Sequence, residues 1–234
     1  FNNLTKEFQK AFSSRNSAPV NRQLPCVLAD NPKLNLEASC QVAHAISTHQ
    51  VNMEMDFFTA VDDLLTDDEL GAGMMGITGF NSATFYRYAA IDWEQLVENL
   101  GGDRDLVKKT IAGFALAQAK AIPTGKQNAF AAQTPPAFIL AVVRQDGQAW
   151  SLANAFETPI RADKKTGGFL APSIQALENH WQQLNTTYGS RDFPAVPIVL
   201  YLAGGPPPID IFKEAQVDNL AAMVDSIVNA LPEG

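Results

Sequence analysis

Between Gln50 and Phe57 the sequence reads QVNMEMDF, and no other stretch constrains the fold as tightly. Val51, Met53, Met55 and Phe57 fall on one side of an extended chain, with Asn52, Glu54 and Asp56 on the other. Side chains repeat every second residue in a strand and every ~3.6 residues in a helix, so this run predicts a strand with one apolar face. It belongs to a longer Met- and Phe-rich ribbon, AHAISTHQVNMEMDFFTAVDDLLTDDELGAGMMG, from Ala43 to Gly76. GAGMMGITGF and SATFYRYAAI then read as a returning strand, with glycines where bulges or bends are cheap. Such a ribbon either buries its apolar face in a core or presents it to a partner.

The other elements follow from spacing and punctuation. FNNLTKEFQKAF places Phe1, Leu4, Phe8 and Phe12 at near-helical spacing, and SSRNSAPVNRQLP after it reads as a linker. LNLEASCQVAHAIS fits either a helix or a buried strand. DWEQLVENLGG predicts a helix capped by Asp92 and stopped at Gly101, and DRDLVKKTIAGFALAQAKAI a longer one. AFILAVVR and AVPIVLYLAGG read as core strands and SLANAFETPI as a further strand or extended edge. PSIQALENHWQQLNTTYG predicts a helix with Ser173 near its start and Gly189 closing it, and DIFKEAQVDNLAAMVDSIVNAL one final amphipathic helix. This irregular mixture predicts an α+β fold with helices on one face of a mainly antiparallel sheet.

Composition narrows the function. The 234 residues are 46% hydrophobic and only 18% charged, which is globular. A net charge of −8 and a pI near 4.8 argue against broad adhesion to nucleic acid or anionic membranes, while leaving room for a local basic strip. No apolar run approaches the ~18 residues of a membrane span. The chain opens at Phe1 without a signal peptide, the expectation being a processed or partial product. Cys26 and Cys40 lack a C-x-x-C spacing, so a reducing, cytoplasmic setting is expected rather than a disulfide framework or zinc site.

Few residues carry visible chemistry. His44 and His49 lie five apart, a spacing that suits neither a helical nor a strand metal site. The acidic run Asp62, Asp63, Asp67, Asp68, Glu69 has Leu64 and Leu65 where a calcium loop needs oxygen ligands, so a solvated loop is expected. PTGKQNAF is no phosphate-binding Walker loop, yet Gly125, Lys126, Gln127 and Asn128 suit a single phosphate or ribose contact as well as an ordinary polar turn. FYRYAAI alternates Tyr86 and Tyr88 with Phe85 and Arg87, a pattern open to base stacking or to a half-buried strand. No nucleophilic triad or G-x-S-x-G elbow is present.

Read whole, QVAHAISTHQVNMEMDFFTAVDDL and GAGMMGITGFNSATFYRYAAID resemble the backbone subunit of the type I-E CRISPR interference complex, the CasC family of Cascade. PTGKQNAFAAQTPPAFILAVVR, SLANAFETPI and GFLAPSIQALENHW continue the resemblance in family order, from about Leu28 to the end. It implies an RNA-recognition-motif-like (ferredoxin-like) palm over 27–234, with a β-hairpin thumb inserted at about 48–85, residues 1–26 matching poorly. It also implies a cofactor-free, non-enzymatic subunit that polymerises along a CRISPR RNA with other Cascade subunits. The thumb would displace one nucleotide at intervals, leaving the segments between for pairing with target DNA. Carried over by position, Phe58 and Val61 would be the wedge, with Thr59 beside Phe58 and His49 along the thumb. Lys126, Gln127 and Asn128 would lie on the palm near the RNA backbone.

The departures set the rivals. Family members are longer and begin with a strand and a basic segment absent here, and LPCVLADNP puts Val27 where an apolar Met would support the wedge. A truncated relative acting as a protein-interaction subunit is the first alternative. A metal-dependent hydrolase using His44, His49 and Asp62 is the second.

Overall fold

The computed structural model describes residues 37–60, 74–145, 147, 149–165, 167–192, 194–202 and 210–232. The expected N-terminal helix, the linker, Val61 and the acidic run from Asp62 to Glu69 lie outside them.

The chain folds as expected into an α+β architecture. Its centre is a sheet in the order β7 (Phe138–Val143), β8 (Val196–Tyr201), β9 (Gln216–Val217). β7 and β8 pair antiparallel, Phe138 opposite Tyr201 and Val143 opposite Val196, while β9 joins β8 in parallel. FILAVV and VPIVLY are unbroken apolar runs, as befits strands covered on both sides. Neighbouring residues of β8 point into two different cores. Ile198 packs with Leu96, Val107, Ile111, Met223 and Ile227, and Val199 with Leu152, Phe156, Leu177, Trp181 and Phe212. Helices therefore cover both faces, not the one that the irregular element order predicted.

The first core is built by α1 (Trp93–Asn99), α2 (Arg104–Lys120) and α6 (Leu220–Ala230). Their starts are set by side-chain caps. Asp92 accepts from the Gln95 amide, Asp103 from the Leu106 amide (both 3.0 Å), and Asn219 from the Ala222 amide at 2.9 Å. Gly101 ends α1 with a φ of +69°, a conformation that side chains with a Cβ resist. The second core lies under α4 (Leu170–Tyr188), whose Ile174, Leu177 and Trp181 recur at helical spacing on the buried side. Pro172 sits in the first turn of α4, where its missing N–H leaves no helical bond unmade.

Three segments fold differently from their sequence reading. SLANAFETPI forms a 3-10 turn, Ala153–Phe156, because its buried anchors Leu152 and Phe156 are four residues apart rather than alternating. The single final helix is instead α5 (Asp210–Glu214), β9 and α6: Val217 is drawn into the sheet beside Leu200, and Asn219 starts a new helix. PTGKQNAF carries a short helix, α3 (Gln127–Phe130), within the expected loop. The ambiguous LNLEASCQVAHAIS resolves to strands, β1 (Cys40–Val42) and β2 (Ile46–Ser47).

Leu96→Ala removes a side chain with no solvent exposure and should cost about 2–5 kcal/mol, whereas Asp103→Ala removes one cap and should cost about 1 kcal/mol. Urea-unfolding midpoints should rank in that order; equal shifts would contradict this assignment of core and cap.

Candidate nucleic-acid interface

β1 and β2 begin one long antiparallel ribbon, which continues through β3 (Glu54–Ala60) and returns as β4 (Met74–Phe80), β5 (Phe85–Tyr86) and β6 (Ala89–Ile91). The three ladders, β1–β6, β2–β5 and β3–β4, step out from the body. Between the first two, Ala43–Ala45 face only Arg87 and Tyr88, and between the second two Thr48–Met53 face only Asn81–Thr84. These surplus residues on the outgoing strand are bulges, which bend and twist a ribbon.

Beyond the second bulge the ribbon is exposed on both faces. Met53, Met55, Phe57 and Ile77 share one side, each 60–65% exposed. The apolar face read from the sequence is real, but it lies outside the core. The other side carries Glu54, Asp56 and Phe58 opposite Phe80, Thr78 and Gly76. The Phe58 ring lies over Gly76, its cross-strand partner, in the space where a Cβ at residue 76 would stand. Phe58 is 44% exposed, so its ring rests on backbone and still meets solvent. Thr59 follows in register with Met75. From Leu34 to Tyr86 the sequence contains eight carboxylates and no Lys or Arg. Outward of Arg87 the ribbon therefore has apolar and π surface to offer a ligand, but no cation to hold a phosphate.

Positive charge gathers at the ribbon's root. Arg161, Lys164 and Lys165 are exposed on a turn closed by Asp163, whose amide donates to the Gly168 carbonyl at 2.9 Å. Its side chain accepts from the Lys165 amide at 2.9 Å and its carbonyl from the Gly167 amide at 2.8 Å. Both ends of this turn are fastened to the ribbon. The Ile160 amide donates to the Thr48 carbonyl at 3.0 Å, and the Phe169 ring stacks on His49 with centroids 3.9 Å apart and planes 18° from parallel. Beneath them the buried Thr48 and Ser173 hydroxyls hydrogen-bond at 2.9 Å. The sequence reading passed over this turn, although three cations in five residues beside Gly167 and Gly168 are its signal.

The residues singled out in the sequence divide between ribbon and root. His49 is engaged at the root: Nε2 accepts from the Thr84 amide at 3.1 Å, so the proton is on Nδ1, 2.8 Å from the Gln50 carbonyl. With both nitrogens on backbone, His49 orients the ribbon and leaves no lone pair for a metal. Among the described residues no three His, Cys, Asp or Glu side chains converge, and Asp62 lies outside them. Tyr86 also fastens the root. Its ring packs on Phe156 with centroids 5.4 Å apart, and its hydroxyl accepts from the Leu152 amide at 3.0 Å. Burial pushes its phenol above the usual 10.0, and the Leu152 bond only partly offsets this.

Lys126, Gln127 and Asn128 occupy a second turn at the root. Lys126 (φ +57°) and Ala131 (φ +48°) both take the left-handed conformation and bracket α3, a backbone geometry that neither side chain favours. Lys126 and Asn128 are exposed. Gln127 turns inward, donating to the Pro123 carbonyl at 2.7 Å, while its own buried Oε1 has no partner. Phe130 ends α3 with its ring 5.1 Å from that of Phe80, the last residue of β4. The fold thus joins two distant sequence motifs: the outer ladder of the ribbon meets the far end of the Lys126 turn. Among the described residues no helix is long and apolar enough to cross a membrane.

Gly76→Val should unseat the Phe58 ring without unfolding the body, which the ribbon touches only at its root. The upfield ring-current shift of the Gly76 α-protons in the wild type should vanish in Phe58→Leu; its persistence there would show that the ring lies elsewhere. Tyr86→Phe should cost about 1–3 kcal/mol by leaving the Leu152 amide unpaired. Stability from the neutral phenol is complete below pH 10 and is lost as pH rises through the raised value, so Tyr86→Phe should also flatten the alkaline fall in stability. Cys40, Tyr88 and Tyr201, raised for the same reason, should keep part of that fall.

Comparison with known proteins places this geometry. Residues 26–226 match the model of the family described as CT1975-like protein, a Cas family. No curated protein matches the chain. Among solved structures, it is similar to a chain of a "CRISPR RNA-guided surveillance complex", with 30% identity and a TM-score of 0.75, over 95% of this chain and 82% of that one. It is equally similar to a chain of a "CRISPR RNA-guided surveillance complex, pre-nicking", with 30% identity and a TM-score of 0.76 over 92% of this chain. It spans only 56% of that second chain's length. The match extends over most of the sequence and includes ribbon, root and both basic turns, and on this ground the chain belongs to the CT1975-like family of Cas proteins.

Proposed function

We propose that the chain is a CRISPR RNA-binding backbone subunit of the type I-E, CasC kind. Copies would line up along the guide with other Cascade subunits and present it for pairing with target DNA. The observation that carries this reading is the separation of positive charge from apolar surface. Cations stand on two turns at the ribbon root, Arg161, Lys164 and Lys165 on one and Lys126 on the other, while the ribbon outward of Arg87 has none. Phosphates would be held at the root. The ribbon would cross the strand, and Phe58, with Val61 beyond it, would enter between bases. Unstacking costs a few kcal/mol per step, and stacking on protein groups returns it. Contacts of this type ignore base identity, so any guide would be accepted. The subunit would hold RNA rather than cut it, and its action would be assembly rather than catalysis.

The exposed face of Met53, Met55, Phe57 and Ile77 favours a second reading, a family relative that grips a protein groove through its ribbon and does not bind a guide. Ionic strength separates the two. Single-stranded nucleic acid binding falls with salt with a slope of roughly 0.7 per phosphate neutralised. Replacing Arg161, Lys164 and Lys165 together by Ala should lower the slope of log affinity for CRISPR RNA against log salt by up to about 2. Phe58→Ala should leave that slope unchanged but alter the spacing of nuclease-protected nucleotides. No RNA binding at low salt, with partner binding that survives high salt, would establish the protein-interaction reading instead.

A further inference from the structure

The alternation in FYRYAAI placed Arg87 among side chains that could stack on bases, but its guanidinium is engaged elsewhere. Arg87 lies in the first bulge, between β5 and β6, and reaches across to the end of α2. Nη2 donates to the Gln118 carbonyl at 2.7 Å and Nη1 to the Ala121 carbonyl at 3.3 Å. Both carbonyls belong to the last turn and cap of α2, where intrahelical partners run out and the helix dipole favours a cation. The chain leaves α2 at Ala121 in extended conformation and reaches Lys126 five residues later. At the far side of this turn, Phe130 rests against Phe80. The Lys126 turn is therefore tied to the ribbon at both ends, by Arg87 where it starts and by Phe130 where it finishes.

We propose that Arg87 is a positioning residue for RNA binding: by clamping the carboxyl end of α2, it holds the Lys126 turn at a fixed place beside the ribbon. The inference rests on the RNA-binding reading and assigns Arg87 a task within it. Arg87 itself touches no RNA. Its side chain is exposed and belongs to neither core, so its removal acts on the placement of the turn and not on whether the body folds. The planar fork is matched to two carbonyls; a lysine ammonium could reach one of them.

The test is a double-mutant cycle on the complete protein with a CRISPR RNA, measuring affinity across salt concentration, with hydrogen exchange of residues 122–131 measured without RNA. Arg87→Ala should remove the share of the salt slope that Lys126→Ala removes, roughly 0.7, or about fivefold in affinity across a tenfold range of salt. Because Arg87 acts through Lys126, the double variant should lose no more than Lys126→Ala alone. Amides of 122–131 should exchange faster in Arg87→Ala, and Arg87→Lys should recover part of both effects. Additive losses of slope would mean that Arg87 contacts phosphate directly, and would overturn the proposal. Unchanged exchange and unchanged slope in Arg87→Ala would overturn it as well. If the wild type binds no RNA, the RNA reading falls and this role for Arg87 falls with it, a result distinct from wild-type binding that Arg87→Ala leaves untouched.

Discussion

Much of the body depends on β8 being buried on both faces. Ile198 and Val199 are neighbours in sequence and point into separate cores, one closed by α1, α2 and α6, the other by α4, α5 and the 3-10 turn. Each core lacks a floor without the strand, so the two halves of the body cannot be built independently. The pleat makes this possible, because successive side chains leave a strand in opposite directions. With β7 paired along its whole length and β9 beside Val199 and Leu200 on its other edge, β8 is held in the sheet by its backbone while its side chains hold two layers of helix.

The ribbon follows the opposite rule. Its inner ladders are attached to the body through a few specific contacts: His49 stacked on Phe169, Thr48 bonded to Ile160 and Ser173, Tyr86 bonded to Leu152, and Arg87 on the end of α2. Past Met53 the described residues have their own cross-strand bonds, the Phe58–Gly76 and Met53–Gly79 contacts and one tie to the body, Phe80 on Phe130. A two-stranded hairpin is marginal in water by itself, so the root contacts determine where its outer part stands. That arrangement suits a segment that must insert into a ligand, because the rigid end is anchored and the inserting end presents apolar surface.

Several parts of this arrangement were legible in the sequence. Asp92 and Gly101 bounded a helix because capping and positive φ are local properties of one residue and its neighbours. The alternation of Val51, Met53, Met55 and Phe57 announced a strand for the same reason. Where several elements compete, local rules failed. Val217 looked helical beside its neighbours, yet the free edge of β8 offered it a ladder. Leu152 and Phe156 fitted an extended edge until the second core required both in one turn. His49 and Arg87 stood out in the sequence, but the bonds of their side chains to backbone 31–35 residues away did not.

The sequence by itself determined the α+β class, the apolar ribbon and the family resemblance, because each is carried by short-range periodicity or by motifs in a set order. It also showed that positive charge is scarce along the ribbon. Only the tertiary structure decided that the apolar face of that ribbon lies outside the core, and that helices cover both sides of the sheet. Only it brought the Arg161–Lys165 turn and the Lys126 turn to the ribbon root. Those outcomes depend on contacts between segments tens of residues apart, where packing selects among local conformations that periodicity leaves equally open.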